Sequence, residues 1–377
     1  MKLAIQNKTR PKGQVTLPPS KSEAIRAALL LALSGGAPEK AVAGYPAPFC
    51  GDIVNALAAA CDLSEVYAGE SAALLRFVIP IQAALFGRIS VRADARLLER
   101  GLKEAEECLG MSLAPDENGL IRTEAHLTAS RFEIDCSRSS QFLSGLLMAL
   151  PLLDRECEIV IKNGLVSKPY AEMTLRFVRL FGGRIEETET GFVTYPSRYT
   201  APESIPVKGD RSYAAVFEVM DLFGGEVMTL GERDELQPDQ GFLTVSSLPE
   251  IDVTGCPDLL PLLAVTACGR AGETVIFGTA RLSSKESDRP KAVEALINSL
   301  GGRAEAMDNR LVVHGSGYLE GGSCSSFGDH RIAFAAAAAA LISKSPVTVE
   351  NAECVVKSAP RFWEDLKKLG MEISEAE

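Results

Sequence analysis

An internal repeat constrains this chain more than any other feature. Six times a short polar or acidic cluster runs into an alanine- and leucine-rich stretch: at Ser20 (SKSEAIRAALLLAL), Ser71 (SAALLRFVIPIQAAL), Ser139 (SSQFLSGLLMALPL), Asp210 (DRSYAAVFEVMDLF), Asp258 (DLLPLLAVTAC) and Asp329 (DHRIAFAAAAAALI). A second start follows each one, at Asp52, Arg96, Lys168, Asp239, Lys285 and Lys357, after gaps of 32, 25, 29, 29, 27 and 28 residues. Regular spacing of this kind is the mark of a repeat architecture. Each apolar stretch opens on Ser or Asp, residues that cap helix N-termini. Six such ends, with unpaired N–H groups and partial positive charge, suit an anionic ligand if they face a common region.

The interval from each second start to the next first start takes two values. It is 43, 42 and 44 residues after Arg96, Lys168 and Lys285, but 19 after Asp52 and after Asp239. The long intervals hold a helix stop at glycine, a Gly-Gly pair at 182–183 and 301–302 in two of the three, followed by alternating strand patterns, which predict a helix and then a β-hairpin. The short intervals lack one hairpin each, so the chain divides into two halves of three β-α-β-α-β-β units, with units one and four shortened. Helices apolar on all sides, such as residues 335–341, belong inside, with the strands in outer sheets. The Pro-punctuated stretch 202–206 suits a linker. A first strand over residues 2–15 is expected to join the second half. The predicted domains are therefore 18–207, and 1–17 with 208–377, with chain crossings near 17–19 and 206–209 forming a hinge.

Charge and cysteine usage remove several functional classes. A net charge of −11, without a long basic run, argues against nucleic acid as partner. Nine scattered cysteines and three histidines lack metal-site spacing, so reduced thiols in a cytoplasm are expected, with no metal and no cofactor. The absence of a long apolar run predicts no membrane span, and a monomer acting on small molecules is the expectation. The basic residues sit singly at helix starts: Lys21, Arg26, Arg96, Lys168, Lys285, Arg289, Arg331 and Lys357. A cation there opposes the helix macrodipole unless an anion is bound.

Three local patterns carry chemistry, and each has a plainer alternative. In PPSKSEAIR (18–26), Lys21, two hydroxyls and Arg26 make a phosphate- or carboxylate-binding cluster, or Ser20 and Ser22 simply cap the helix. In KESDR (285–289), Lys285 and Arg289 share a helical face with Glu286 alongside, an arrangement that a solvated salt-bridged surface also explains. Arg331 in DHRIA (329–333) opens a charge-free helix, so it requires an anionic partner, internal or bound.

Taken in order, the motifs PPSKSEAIR, GESAALLRF (69–77), ARLLER (95–100), SSQFLSGLL (139–147), LVSKPY (165–170), KGDRS (208–212), PDLLP (257–261), RLSSKESDR (281–289), DHRIA and VVKSAPRFW (355–363) resemble the 3-phosphoshikimate 1-carboxyvinyltransferase family, also called 5-enolpyruvylshikimate-3-phosphate synthases. The resemblance extends over essentially the whole chain. It implies a two-domain inverse α/β barrel of six related units. It also implies transfer of the enolpyruvyl group of phosphoenolpyruvate to the 5-hydroxyl of shikimate 3-phosphate, in aromatic amino-acid biosynthesis. By the resemblance, shikimate 3-phosphate is held by Lys21, Ser22, Arg26, Ser139, Ser140, Gln141, Ser167, Tyr170, Asp258 and Lys285. Phosphoenolpyruvate is gripped by Lys21, Arg96, Gln141, Arg289, Arg331 and Lys357, with Ala72 beside it. Asp258 resembles the base for the hydroxyl, Glu286 the acid for the enol methylene, and Lys21 belongs to the catalytic set. His330 is expected to pack.

The chain departs from the family pattern at Ala72, where a glycine is usual; the added Cβ narrows the pocket and predicts tolerance of glyphosate. Arg281 stands where some members have asparagine. UDP-N-acetylglucosamine enolpyruvyl transferase is the enzymatic alternative, but its loop cysteine has no clear counterpart. A catalytically silent anion-binding relative would be expected to lose Lys21, Asp258, Glu286 or Lys357, and all four are present. An RNA-end-processing cyclase would need basic surface and a nucleophilic histidine.

Overall fold

A recurring construction organises the chain: two parallel strands joined through a buried helix. The computed structural model describes residues 1–232, 234 and 236–376. They form two units, Met1–Pro18 with Ala47–Cys50 and Gly209–Glu377 (the C-terminal unit), and Pro19–Pro46 with Gly51–Lys208 (the N-terminal unit).

The C-terminal unit repeats the construction three times. Lys12–Thr16 pairs with Glu226–Leu230, Glu250–Asp252 with Ala271–Phe277, and Gly322–Ser325 with Val347–Glu350, all parallel. The helices Arg211–Leu222, Leu260–Cys268 and His330–Ala339 lead into the second strand of each pair. Every residue of the last two helices is buried, as all-round apolar sequences require. The second sheet gains the antiparallel strands Arg303–Met307 and Arg310–Ser316. The third is completed by both chain ends, Lys2–Ile5 and Ile373–Glu375.

The expected first strand over 2–15 is in fact two strands in different sheets. Asn7 and Arg10 turn the chain between them, Arg10 donating to the Asn7 carbonyl at 2.9 Å. Pro11 has no N–H with which to continue a ladder. The sheet lacking a hairpin is the two-stranded one, in unit four.

In the N-terminal unit, Val66–Gly69 pairs with Arg88–Ala93 and Arg131–Asp135 with Cys157–Lys162, both parallel, around the helices Ala72–Phe86 and Gln141–Ala149. These two helices touch backbone to backbone: a Cβ on Gly145 would lie 2.6 Å from the Arg76 carbonyl, so only glycine fits. The second sheet adds the expected hairpin, Arg184–Glu187 and Gly191–Tyr195. Among the described residues the first adds one strand only, Leu120–Glu124. Unit one departs furthest from expectation. Among the described residues its helices Lys21–Leu33 and Gly51–Cys61 are joined by the 3-10 turn Pro38–Val42, without strands.

The helix starts differ in detail from the predicted ones. Ser71, Asp210 and Asp329 accept from N–H groups of their helices as caps. Ser20 and Ser140 make no side-chain cap bond, and Asp258 lies inside the 3-10 turn Pro257–Leu259. Residues 285–288 precede the helix Arg289–Ser299 and do not lie on it, so Lys285 and Arg289 do not share a helical face. Pro290 suits this boundary, since a proline in the first turn of a helix gives up only an N–H that has no intrahelical acceptor. Lys357 ends the 3-10 turn Ala352–Lys357, ahead of the helix Phe362–Lys368.

Candidate active site

Parallel pairing puts the carboxyl ends of two strands side by side, and the turns leaving them become neighbours. Ligands of α/β sheets bind at such ends. In the C-terminal unit three pairs of turns deliver Asp239, Asp258, Lys285 to Arg289, Asp329 to Arg331, and Lys357.

Arg289 is the centre of this cluster, with 1% of its side chain exposed. Its Nε donates to Asp329 at 3.0 Å, one terminal nitrogen to Asp258 at 2.8 Å, and the other to Glu286 at 2.9 Å. Arg331 donates to the second oxygen of Asp258 at 3.0 Å. Lys357 Nζ lies 3.5 Å from Glu286. Asp329 also accepts from Ser287 at 3.0 Å and caps its helix through the Arg331 N–H at 2.9 Å. Burial would raise the Asp258 carboxyl, but Arg331, Arg289 and Lys285 outweigh it and hold it well below the usual carboxylate range. Burial, with Arg289 and Arg281, brings the Lys285 ammonium down to about 8 against the opposing pull of Asp258 and Glu286.

His330 packs edge-on against Phe334, ring centres 5.7 Å apart. Arg281 donates to the Thr254 carbonyl at 2.6 Å.

The N-terminal unit builds a second cluster. Lys21 Nζ meets Asp52 Oδ2 at 3.0 Å, across the two helix starts of unit one. Arg26, fully buried, donates to Thr174 at 2.7 Å, Ser144 at 3.3 Å, and the Ser22 and Tyr170 carbonyls at 2.7 and 3.1 Å. Its guanidinium stacks over Phe77 at 4.9 Å. Burial lowers its pKa to about 10, which leaves it charged at neutral pH. Arg26 thus ties the Ser22 turn to Tyr170, framing a polar surface from behind.

Beside it, Ser140 donates to the Ser167 carbonyl at 3.4 Å, and Ser139 accepts from the Gln141 N–H at 3.2 Å. Ser167 has φ 53°, a left-handed conformation costing of order 1–3 kcal/mol in a non-glycine residue; such strain clusters at ligand sites. Ala72 is the first residue of its helix, half-buried behind the Ser71 cap. Arg96 is exposed on the four-residue helix Ala95–Leu98, whose turn is tied to the Ala72 turn by the Asp94 N–H donating to the Gly69 carbonyl at 3.0 Å.

Four of these cations are paired with carboxylates. Lys21 has Asp52, Arg289 has Asp258, Glu286 and Asp329, Arg331 has Asp258, and Lys357 has Glu286. Sequence reasoning missed Asp52, Asp239 and the ion-pairing role of Asp329. The signal was present, since all three open repeats, but an Asp at a helix start reads first as a cap. Among the described residues no group of His, Cys, Asp and Glu could hold a metal ion, and no helix is long and apolar enough to cross a membrane.

The model of the family described as EPSP synthase (3-phosphoshikimate 1-carboxyvinyltransferase) matches residues 54–232 and 224–366. The chain belongs to the EPSP synthase family. A 3-phosphoshikimate 1-carboxyvinyltransferase of Clostridium kluyveri is 32% identical, with 100% of this chain and 99% of that protein covered. One from Clostridium perfringens is 31% identical, covering 98% and 99%. One from Methanocorpusculum labreanum is 29% identical over the full length of both. Two structures of EPSP synthase from Acinetobacter baumannii superpose with TM-scores of 0.77 and 0.78 at 19% identity, over nearly the whole of each chain. The fold is the two-domain α/β fold of EPSP synthases.

Proposed function

We propose that this chain transfers the enolpyruvyl group of phosphoenolpyruvate to the 5-hydroxyl of shikimate 3-phosphate and releases phosphate. Family membership supports the reaction, and the observation that carries the residue roles is Asp258 held between Arg289 and Arg331. The hydroxyl oxygen adds to C2 while its proton goes to Asp258 and C3 receives one from Glu286. Loss of phosphate from C2, with return of a proton from C3, then gives the enol ether. Cations neutralise the carboxylate and the departing phosphate.

Two guanidiniums on its oxygens make Asp258 a weak base. An anionic substrate that draws Arg289 and Arg331 onto itself removes that compensation, and Asp258 gains basicity as the substrate arrives. Roles follow the expectations above. Lys21, Ser22, Ser139, Ser140, Gln141, Ser167, Tyr170 and Lys285 hold shikimate 3-phosphate, with Arg26 bracing Ser22 and Tyr170. Lys21, Arg96, Gln141, Arg289, Arg331 and Lys357 grip phosphoenolpyruvate, and Ala72 flanks it.

We also assign the chain to the cytoplasm as a monomer working on small molecules alone, a reading that nine scattered cysteines, an odd number without metal-site spacing, support. The test is phosphate release from phosphoenolpyruvate with shikimate 3-phosphate, beside Lys21→Ala. Turnover with UDP-N-acetylglucosamine in place of shikimate 3-phosphate would overturn the assignment.

A further inference from the structure

We propose that Asp239 is a positioning residue for anion binding: its buried carboxyl, held by Ser212, sets how strongly Arg331 grips an anionic substrate. The inference rests on the function proposed above and deepens it.

Asp239 lies in the 3-10 turn Pro238–Gly241 and is 1% exposed. The Ser212 hydroxyl, at the start of the helix Arg211–Leu222, donates to one of its oxygens. The other oxygen is buried with no hydrogen-bond partner among the described residues, and so is Nε of Arg331. Buried polar atoms are seldom left in this state. Among the described residues Asp258 pairs with the Arg331 guanidinium at 3.0 Å, whereas Asp239 acts on it through charge without an ion pair, so the two acids are not equivalent. Asp258 has Arg289 and Lys285 besides Arg331 and stays ionised. Asp239 has Arg331 alone, against burial and the charges of Asp258 and Asp210, and is pushed up to about 7.

On the adjacent helix Arg211–Leu222 the buried Arg211 is ion-paired with Glu218, so it does not supply a second cation. The Cys256 thiol is itself pushed up to about 12 by burial and neighbouring carboxylates, and the adjacent helix Phe242–Val245 has no titratable side chain.

The sign follows. Below about pH 7 Asp239 carries a proton, and Asp258 is the acid that offsets Arg331. Above it a second carboxylate competes with any incoming anion. Binding an anion to Arg331 then requires Asp239 to take up a proton, so affinity falls as pH rises through 7.

The experiment is steady-state phosphate release at saturating shikimate 3-phosphate, with KM for phosphoenolpyruvate followed from pH 5.5 to 8 in three proteins. The KM of the native chain relative to that of Asp239→Asn should rise about tenfold across this range, the equivalent of one pK unit of coupling. Taking the ratio removes the titration of the substrate's own phosphate. Ser212→Ala, which deletes the bond favouring ionised Asp239, should move the inflection to higher pH. A KM ratio level across the range overturns the inference. Should Asp239→Asn fail to fold by circular dichroism, an unmoved inflection in Ser212→Ala overturns it equally. If the native chain does not turn over these two substrates, the proposed function falls first, and this inference with it.

Discussion

Lys21 and Asp52, which open two successive helices in the same unit, close to 3.0 Å with the carboxylate nine-tenths buried. The pair offsets the cost of a cation in a helix's first turn, and on the proposed function the ammonium itself is what meets the anion. Removing either partner separates the two roles. Asp52→Asn should lower stability by about 1–2 kcal/mol, between the values for exposed and buried pairs, without raising KM for either substrate. Lys21→Ala should raise both KM values at least tenfold. Thermal denaturation and steady-state kinetics on the two variants check this; a KM increase in Asp52→Asn matching that of Lys21→Ala would show that the ammonium depends on Asp52 to bind the substrates.

Arg289 uses three nitrogens on three different carboxylates. Lysine keeps the charge but loses the planar fork. Arg289→Lys should fold and yet lose about 10²–10³ in kcat/KM, because Asp258 and Glu286 are no longer fixed at once. Arg289→Ala leaves Asp329 buried without its strongest partner and should cost about 3–5 kcal/mol of stability. Chemical denaturation beside turnover distinguishes the two variants. Wild-type kcat/KM in Arg289→Lys would refute the role given to the fork.

Strong periodicity made the central helices legible: His330–Ala339 and Leu260–Cys268 are buried on every side, as their composition demands. The boundaries of the turns that carry the candidate site were not legible. Residues 285–288 have helical charge spacing, yet Pro290 and the pull of Asp329 on Arg289 place the helix start after them. The strand over 2–15 failed for a different reason. Its two pieces pair with strands more than two hundred residues away, and no local pattern reports such partners. Of the candidate site, the cations were readable from their positions in the repeats. Their carboxylate partners were not, because which acid meets which base is a tertiary fact.

Lys285 supplies a pH dependence of its own. Its pKa is lowered to about 8, chiefly by burial, so the cation is lost as pH rises through that value. For stability the sign is the reverse of an ordinary ion pair. The buried charge opposes folding below about 8, and this penalty is relieved between there and the unfolded value near 10.5. For binding, KM for shikimate 3-phosphate should rise above pH 8 at saturating phosphoenolpyruvate. Lys285→Arg, charged throughout, should hold KM level to about pH 9.5. A rise of equal size in both proteins would assign the effect to another group.

Ala72 begins the helix Ala72–Phe86, half-buried behind the Ser71 cap, and its turn is tied to the one carrying Arg96. A methyl group here takes room from a ligand lying against the helix N-terminus. The free N–H groups at that end still favour negative charge. The steric effect therefore falls on the bulkier of two competing anions. Glyphosate should inhibit the native chain weakly, and Ala72→Gly should lower the inhibitory concentration at least tenfold, about 1.4 kcal/mol, while tightening phosphoenolpyruvate binding less. Glycine at this first helical position is itself a small destabilisation, of order 1 kcal/mol or below, so the two proteins remain comparable at 25 °C. Inhibition curves measured at matched multiples of the phosphoenolpyruvate KM decide the question. Superimposable curves would mean that the Cβ of residue 72 does not reach the ligand.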